Sequence, residues 1–205
     1  MRMLRRRRIQ RGAAATGYAR DMTSGSSSAE EHVVLLSETG AATGVAPKRT
    51  VHTQDTPLHL GFSCYLFDSA GRLLLTRRAL SKATWPGVWT NSFCGHPGRD
   101  EELELAVRRR ARQELGAEVT QVQEVLAEFR YRAVDASGVV ENEICPVFAA
   151  VLTGELAPVP EEISQWEWAD PEAVHRAVRE TPFAFSPWMV EQLPAMQAAH
   201  WGATA

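Results

Sequence analysis

Cys94, Gly95 and His96 set a thiol and an imidazole two residues apart at the mouth of a helix rich in arginine and glutamate. Alone, Cys94 reads equally as a small buried hydrophobe. Its polar neighbours make it a reactive group whose protonation a metal or a basic side chain would tune. Glu141 and Glu143 alternate on an expected strand, so both point to one face, roughly 6.5–7 Å apart. Such a pair can simply be solvated. Val139, Cys145 and Val147 continue that face, however, and a carboxylate pair buried among them needs protons, cations or a metal. His52 and His59 flank Thr53–Leu58, and each alone can be an ordinary surface histidine. Together with His96, the three imidazoles and two carboxylates could hold one divalent ion with a position left open. That mixture suits Mn2+ or Zn2+ better than an all-oxygen Mg2+ site.

A second set of residues is cationic. Arg77, Arg78 and Lys82 surround a short loop, either a solvated basic turn or an anion clamp. Arg110 stands one turn before Glu114 on the same helix face, an ordinary ion pair or a place for phosphate oxygens. Trp188 opens the last helix, with Ser186 as the expected cap and Pro187 at the first position. An indole face there could stabilise a cation.

The elements that must position these groups follow from pattern. A strand is expected over Glu31–Ser37, then an irregular stretch to Lys48. Leu58–Phe67 and Arg72–Arg77 read as a hairpin about an Asp68–Gly71 turn. A short strand is expected within Val88–Phe93. Leu103, Val107, Ala111 and Leu115 mark a helix over Glu101–Leu115, capped by Asp100 and ended by Gly116. Val119–Val134 and Val139–Leu152 read as strands around a turn, and helices are expected over Pro171–Arg179 and Trp188–His200. Mixed strands with flanking helices predict an α+β sandwich. The 205 residues, 44% hydrophobic and 23% charged, fit one domain. No apolar run is long enough to span a membrane. Three cysteines without regular spacing fit reduced thiols. Residues 1–21 carry about +6 and the remainder about −9. Residues 1–30 are read as a flexible basic tail or a mis-assigned start, with Met22 a candidate true start, and 31–205 as the domain. Tyr18 is the single aromatic residue among those arginines, and no nucleic-acid partner is expected.

Gly95, Glu101, Arg109, Arg110, Gln113, Glu114 and Gly116 keep the frame of a Nudix box, but two of its metal-binding glutamates have become Arg110 and Gln113. A diphosphate hydrolase needs clustered carboxylates to hold Mg2+. Their loss predicts a Nudix-like fold that handles a diphosphate without cutting it. Thr76–Lys82, Trp85–Ser92, Cys94–Pro97 and Val140–Pro146 further resemble the type 1 isopentenyl-diphosphate isomerases, over roughly residues 31–200.

The resemblance implies a fold, an activity and a site. The fold would be the Nudix-like mixed-sheet sandwich. His52, His59, His96, Glu141 and Glu143 would hold one divalent metal, Mn2+ or Zn2+, or Mg2+. Glu114 would bind a diphosphate-bound Mg2+, and Arg78, Lys82 and Arg110 the diphosphate itself. Glu143, Tyr131, Cys94 and Trp188 would be catalytic, with Tyr131 hydrogen-bonded to Glu143. Isopentenyl diphosphate would become dimethylallyl diphosphate through a tertiary carbocation, with Glu143 the implied donor and Cys94 its partner near C2. The residues themselves leave the direction of proton transfer open. A cytoplasmic monomer is expected. The alternatives are a Nudix-type diphosphohydrolase and a non-catalytic metal or diphosphate binder.

Overall fold

The computed structural model describes residues 31–198. The segment 1–30 and the last turn expected for the final helix, at His200, lie outside the described residues. In chain order come β1 (His32–Leu36), β2 (Ala42–Pro47), the single turn α1 (Lys48–Val51), β3 (His59–Leu60), β4 (Phe62–Phe67), β5 (Leu73–Arg78), β6 (Trp89–Thr90) and β7 (Phe93–Gly95). There follow α2 (Leu103–Leu115), β8 (Glu118–Leu126), β9 (Arg130–Val134), β10 (Val140–Ile144), β11 (Val147–Thr153), β12 (Ile163–Ala169), α3 (Pro171–Glu180) and α4 (Pro187–Ala198).

Alternation along β4 decides the layering. Phe62, Cys64 and Leu66 pack in one cluster with Ala106, Val107, Ala111 and Leu115 of α2. Tyr65 packs in another with Val174 and Val178 of α3 and Met189, Leu193 and Met196 of α4. A strand apolar on both faces must be covered on both. The seven-stranded sheet, ordered β12-β5-β4-β11-β8 with β6 on β5 and β7 on β4, therefore lies between α2 and the α3–α4 pair. Each fully buried Leu or Phe of these layers contributes about 1.5–3 kcal/mol. A five-stranded sheet, β2-β1-β3-β10-β9, stands beside it. The β3–β10 and β4–β11 pairs are parallel and the remaining pairs antiparallel, so both sheets are mixed, as expected.

Three runs that read as single strands each divide between the two sheets. Leu58–Phe67 breaks at Gly61, Val139–Leu152 at Cys145–Pro146, and Val119–Val134 after Leu126. Proline cannot donate to a ladder, so Pro146 suits a crossing point. Its carbonyl accepts from Ser63 N at 3.1 Å, and Ile144 O accepts from Gly61 N at 3.0 Å, which stitches the two crossings together.

Other expectations need correction. Asp100 does not cap α2: its φ of 61° is left-handed, the helix begins after Glu102, and no side-chain cap forms. Gly116 ends α2 in the left-handed region, as its type predicts. β2 lies in the stretch expected to be irregular. β12 lies where no element is expected, because it is an edge strand with four exposed residues in a row. The segment Val88–Phe93 holds two short strands rather than one. The hydrogen bond of the Ser186 hydroxyl runs to Thr90 Oγ1 at 2.8 Å.

Candidate active site

The site lies where the two sheets meet. Across the five-stranded sheet, His59 on β3 and Tyr131 on β9 are both register partners of Glu143 on β10, which sets three functional side chains in one row. His52 follows α1 directly. Cys94 on β7 pairs with Ser63 on β4, and His96 follows two residues later. Gly61 is required here: a Cβ would stand 2.7 Å from Cδ of Glu143. Gly95 is equally constrained, since its Cβ would meet Arg110 Cγ at 2.6 Å.

Ligand atoms of His52, His59, His96 and Glu143 all lie within 4.8 Å of one another. Glu143 Oε1 is 3.2 Å from His96 Nε2 and 3.4 Å from His59 Nε2. Glu141 stands one contact further out, with Oε2 3.1 Å from His52 Nε2 and Oε1 accepting from Thr84 Oγ1 at 2.7 Å. His52 Nε2, His59 Nε2 and Glu141 Oε2 are nonetheless buried without a hydrogen bond. His52 and Glu141 thus approach without bonding, and the orphaned atoms converge in a way that fits a shared cation. His59 Nδ1 lies 2.9 Å from Pro57 O, which fixes Nδ1 as the donor and leaves Nε2 a lone pair for metal. Burial pushes His59 down, but the Glu143 carboxylate beside it outweighs this and raises its pKa. Burial likewise pushes Glu143 up, and the two imidazoles reverse this, holding its carboxyl well below the usual range.

Glu101 and Arg109, which this chain retains from the Nudix-like frame, hold the loop that carries His96. Arg109 reaches Glu101 with a two-pronged bond, at 2.8 and 2.7 Å, and also donates to His96 O at 3.0 Å. Glu101 in turn accepts from Gly98 N at 2.7 Å.

Cys94 Sγ lies 3.5 Å from Ser63 Oγ and 3.4 Å from the Asn91 amide. Burial pushes its pKa up to about 11, with the Glu143 charge adding to the rise and Ser63, Asn91 and Arg78 opposing it. The thiol is therefore protonated at neutral pH. Asn91 Oδ1 also accepts from Trp188 Nε1 at 2.9 Å, so one buried amide aligns the thiol and the indole. Trp188 meets Tyr131 at 5.7 Å between ring centroids and Trp85 edge-on at 5.4 Å, and Arg78 lies 5.5 Å over its ring. Tyr131 is buried, stacked on Phe129.

These groups line one cavity of about 710 Å3, within the range of small-molecule sites. Cys94, Glu143, Tyr131 and Trp188 line it together with Lys48, Lys82, Arg110 and Glu114. Arg78 also lines it and donates to Thr84 O at 2.8 Å. Arg77 does not, because adjacent strand residues point to opposite faces. Its guanidinium is spent on Gly87 O and Gln165. Arg110, 4% exposed, donates to Glu114 from Nε at 3.0 Å and lies 3.6 Å from Glu162. Glu162 also pairs with Lys82. Sequence reasoning missed Lys48, Glu31, Thr84 and Glu162. Asn91 and Ser92 stood inside a quoted motif without a role.

Residues 57–189 match the NUDIX domain family. The chain is similar to proteins named isopentenyl-diphosphate Delta-isomerase. In Clavibacter michiganensis subsp. michiganensis the identity is 60%, covering 83% of this chain and 88% of the relative. In Leifsonia xyli subsp. xyli it is 61%, covering 82% and 92%. In Citrobacter koseri it is 54%, covering 79% and 90%. Among solved structures, the fold is similar to that of DR0079 from Deinococcus radiodurans, with a TM-score of 0.63 at 20% identity, over 81% of this chain and 99% of that one. It is also similar to a MutT protein from Methanosarcina mazei, with a TM-score of 0.57 at 16% identity, over 70% and 96%.

Proposed function

We propose, for a chain that belongs to the NUDIX domain family and within it to the isopentenyl-diphosphate Delta-isomerases, that its cavity interconverts isopentenyl and dimethylallyl diphosphates. The observation that carries this is one cavity lined by two proton-transfer groups, an indole and a set of cations. An unactivated alkene needs a proton added at its terminal methylene and one removed from C2, with a tertiary carbocation between. Cys94 and Glu143 are the two proton-transfer groups in this reading. Cys94 is held protonated and Glu143 below its usual range, the reverse of the order in which Glu143 donates and Cys94 accepts, so a proton must pass to Glu143 before it can act as the donor. The Trp188 face stabilises the cation, worth about 2 kcal/mol or more once desolvated. Tyr131, packed on Trp188 and paired in register with Glu143, shields the reacting groups from water in this reading.

Lys82, Arg110, Arg78 and Lys48 anchor the diphosphate, so binding energy far from the alkene positions the reacting carbons. His52, His59, His96 and Glu143 would hold a divalent ion, Mn2+ or Zn2+ suiting the nitrogen-rich set, with Glu141 adjoining through His52. Bound there, the ion would supply a positive charge beside the Glu143 carboxylate, which His59 and His96 already hold in place. Glu114 would hold a diphosphate-bound Mg2+. Hydrolysis is disfavoured because the helix face that needs clustered carboxylates carries a buried Arg110 instead. Three free thiols fit a reducing cytoplasm. Among the described residues no helix is long and apolar enough to cross a membrane. The test is a paired assay on isopentenyl diphosphate with Mg2+. Allylic diphosphate should form with no phosphate released, and phosphate without allylic product would sink the proposal.

A further inference from the structure

Three cations of the clamp are held apart by two carboxylates to which no role has been given above. Glu31 places Oε2 2.6 Å from Lys48 Nζ and Oε1 3.7 Å from Arg110 Nη1. Glu162 places one oxygen on Lys82 and the other 3.6 Å from Arg110 Nη2. Charge therefore alternates through Lys48, Glu31, Arg110, Glu162 and Lys82. The two carboxylates differ in one respect. Glu31 lines the main cavity, whereas Glu162 is not among its lining residues and contacts Lys82 and Arg110 from outside it.

We propose that Glu31 is a resident anion that takes the place of the diphosphate in the empty cavity and gives way to it when substrate binds. This rests on the reading of Lys48, Lys82 and Arg110 as the diphosphate clamp. Three observations support displacement. First, a carboxylate that bridges two clamp cations, one oxygen to each, makes the contacts a phosphate group would make. Second, the Glu31 side chain is half exposed, so its ion pairs are weak and easily exchanged. Third, Glu31 has somewhere to go. A second cavity of about 390 Å3 adjoins the first, and Glu31, Lys48 and Arg110 line both. Glu31 is thus part of a partition that can swing to either side. In the empty protein it offsets the mutual repulsion of Lys48 and Arg110 and keeps weakly charged anions from settling there. Glu162 is a backing carboxylate that stays on Lys82 in both states.

Calorimetric titration of the full-length protein with inorganic pyrophosphate, at fixed Mg2+, tests this. Glu31→Gln should tighten pyrophosphate about two- to fivefold, the worth of a partly exposed ion pair. It should lower KM for substrate by a similar factor with kcat unchanged. Glu162→Gln should not tighten it. Weaker binding by Glu31→Gln would overturn the proposal, making Glu31 part of the receptor. Equal tightening by both variants would overturn it too, because a general field effect would then suffice. Lys48→Ala and Lys82→Ala test the underlying clamp separately. If neither weakens pyrophosphate, the clamp reading fails, whatever Glu31→Gln does.

Discussion

Burial, with the Glu143 charge adding to it, keeps the proton on Cys94 at neutral pH, while the neighbouring imidazoles hold the Glu143 carboxyl well below its usual range. Removing either group should stop turnover and leave the diphosphate clamp intact. Cys94→Ala should lower kcat by about 10²–10⁴-fold with little change in KM. Its metal content should stay at the wild-type level. Glu143→Gln should lose comparable activity and metal together, since Glu143 is also a proposed ligand. A Cys94→Ala protein that kept more than about a tenth of wild-type kcat would reduce Cys94 to a packing residue. The histidines give a second residue-scale prediction. Metal needs neutral imidazoles, and His59 holds its proton more tightly than a free histidine. Metal affinity, measured by equilibrium dialysis, should therefore weaken as pH drops and protons compete for the imidazoles, around the free-histidine pKa of about 6.5. Affinity unchanged down to pH 5 would exclude the imidazole set. Most of these residues were legible in sequence because short spacings carry them: Cys94 with His96, and Glu141 with Glu143. Their carboxylate neighbours Glu31 and Glu162 were not, since ion pairs between distant segments leave no local pattern.

At the scale of elements, the crossings matter most. The runs through Gly61 and Pro146 each read as one strand, because apolar residues continue through the break and nothing local marks a change of sheet. A signal was present at Gly61, a glycine inside a strand pattern, which marks a bend or a close approach. Here Glu143 makes that approach. Gly61→Ala should accordingly displace the Glu143 carboxylate and lower both metal content and kcat. Wild-type values for both would show that the crossing tolerates a side chain. Helix α2 was legible from its four-residue repeat, but its start was not, since Asp100 has cap chemistry without cap geometry. Glu101 and Arg109 serve the loop rather than the helix, tying down the segment that carries His96. Glu101→Ala should weaken metal affinity about 10- to 100-fold, the usual effect of losing an outer support of a ligand. Thermal stability should change little, because Glu101 is not part of either apolar cluster. Unchanged metal affinity would mean that the loop is held without it.

Across the molecule, the seven-stranded sheet and its helices are a scaffold for a cavity at the junction with the smaller sheet. The α+β class was readable from the succession of strands and helices. The pairing of two parallel strands across each crossing was not, because it depends on contacts between distant segments. In the proposed reading one cavity serves binding and chemistry together, its cations anchoring the diphosphate while Cys94 and Glu143 move protons. Proton transfer to and from an intact, anchored diphosphate is the central claim, and proton exchange tests it most directly. The protein is incubated with isopentenyl diphosphate and Mg2+ in D2O and followed by NMR. The account predicts deuterium in a methyl group of dimethylallyl diphosphate and, as the reaction reverses, at C2 of isopentenyl diphosphate, with the diphosphate intact. Allylic product without solvent deuterium, or loss of the diphosphate signal without allylic product, would contradict it.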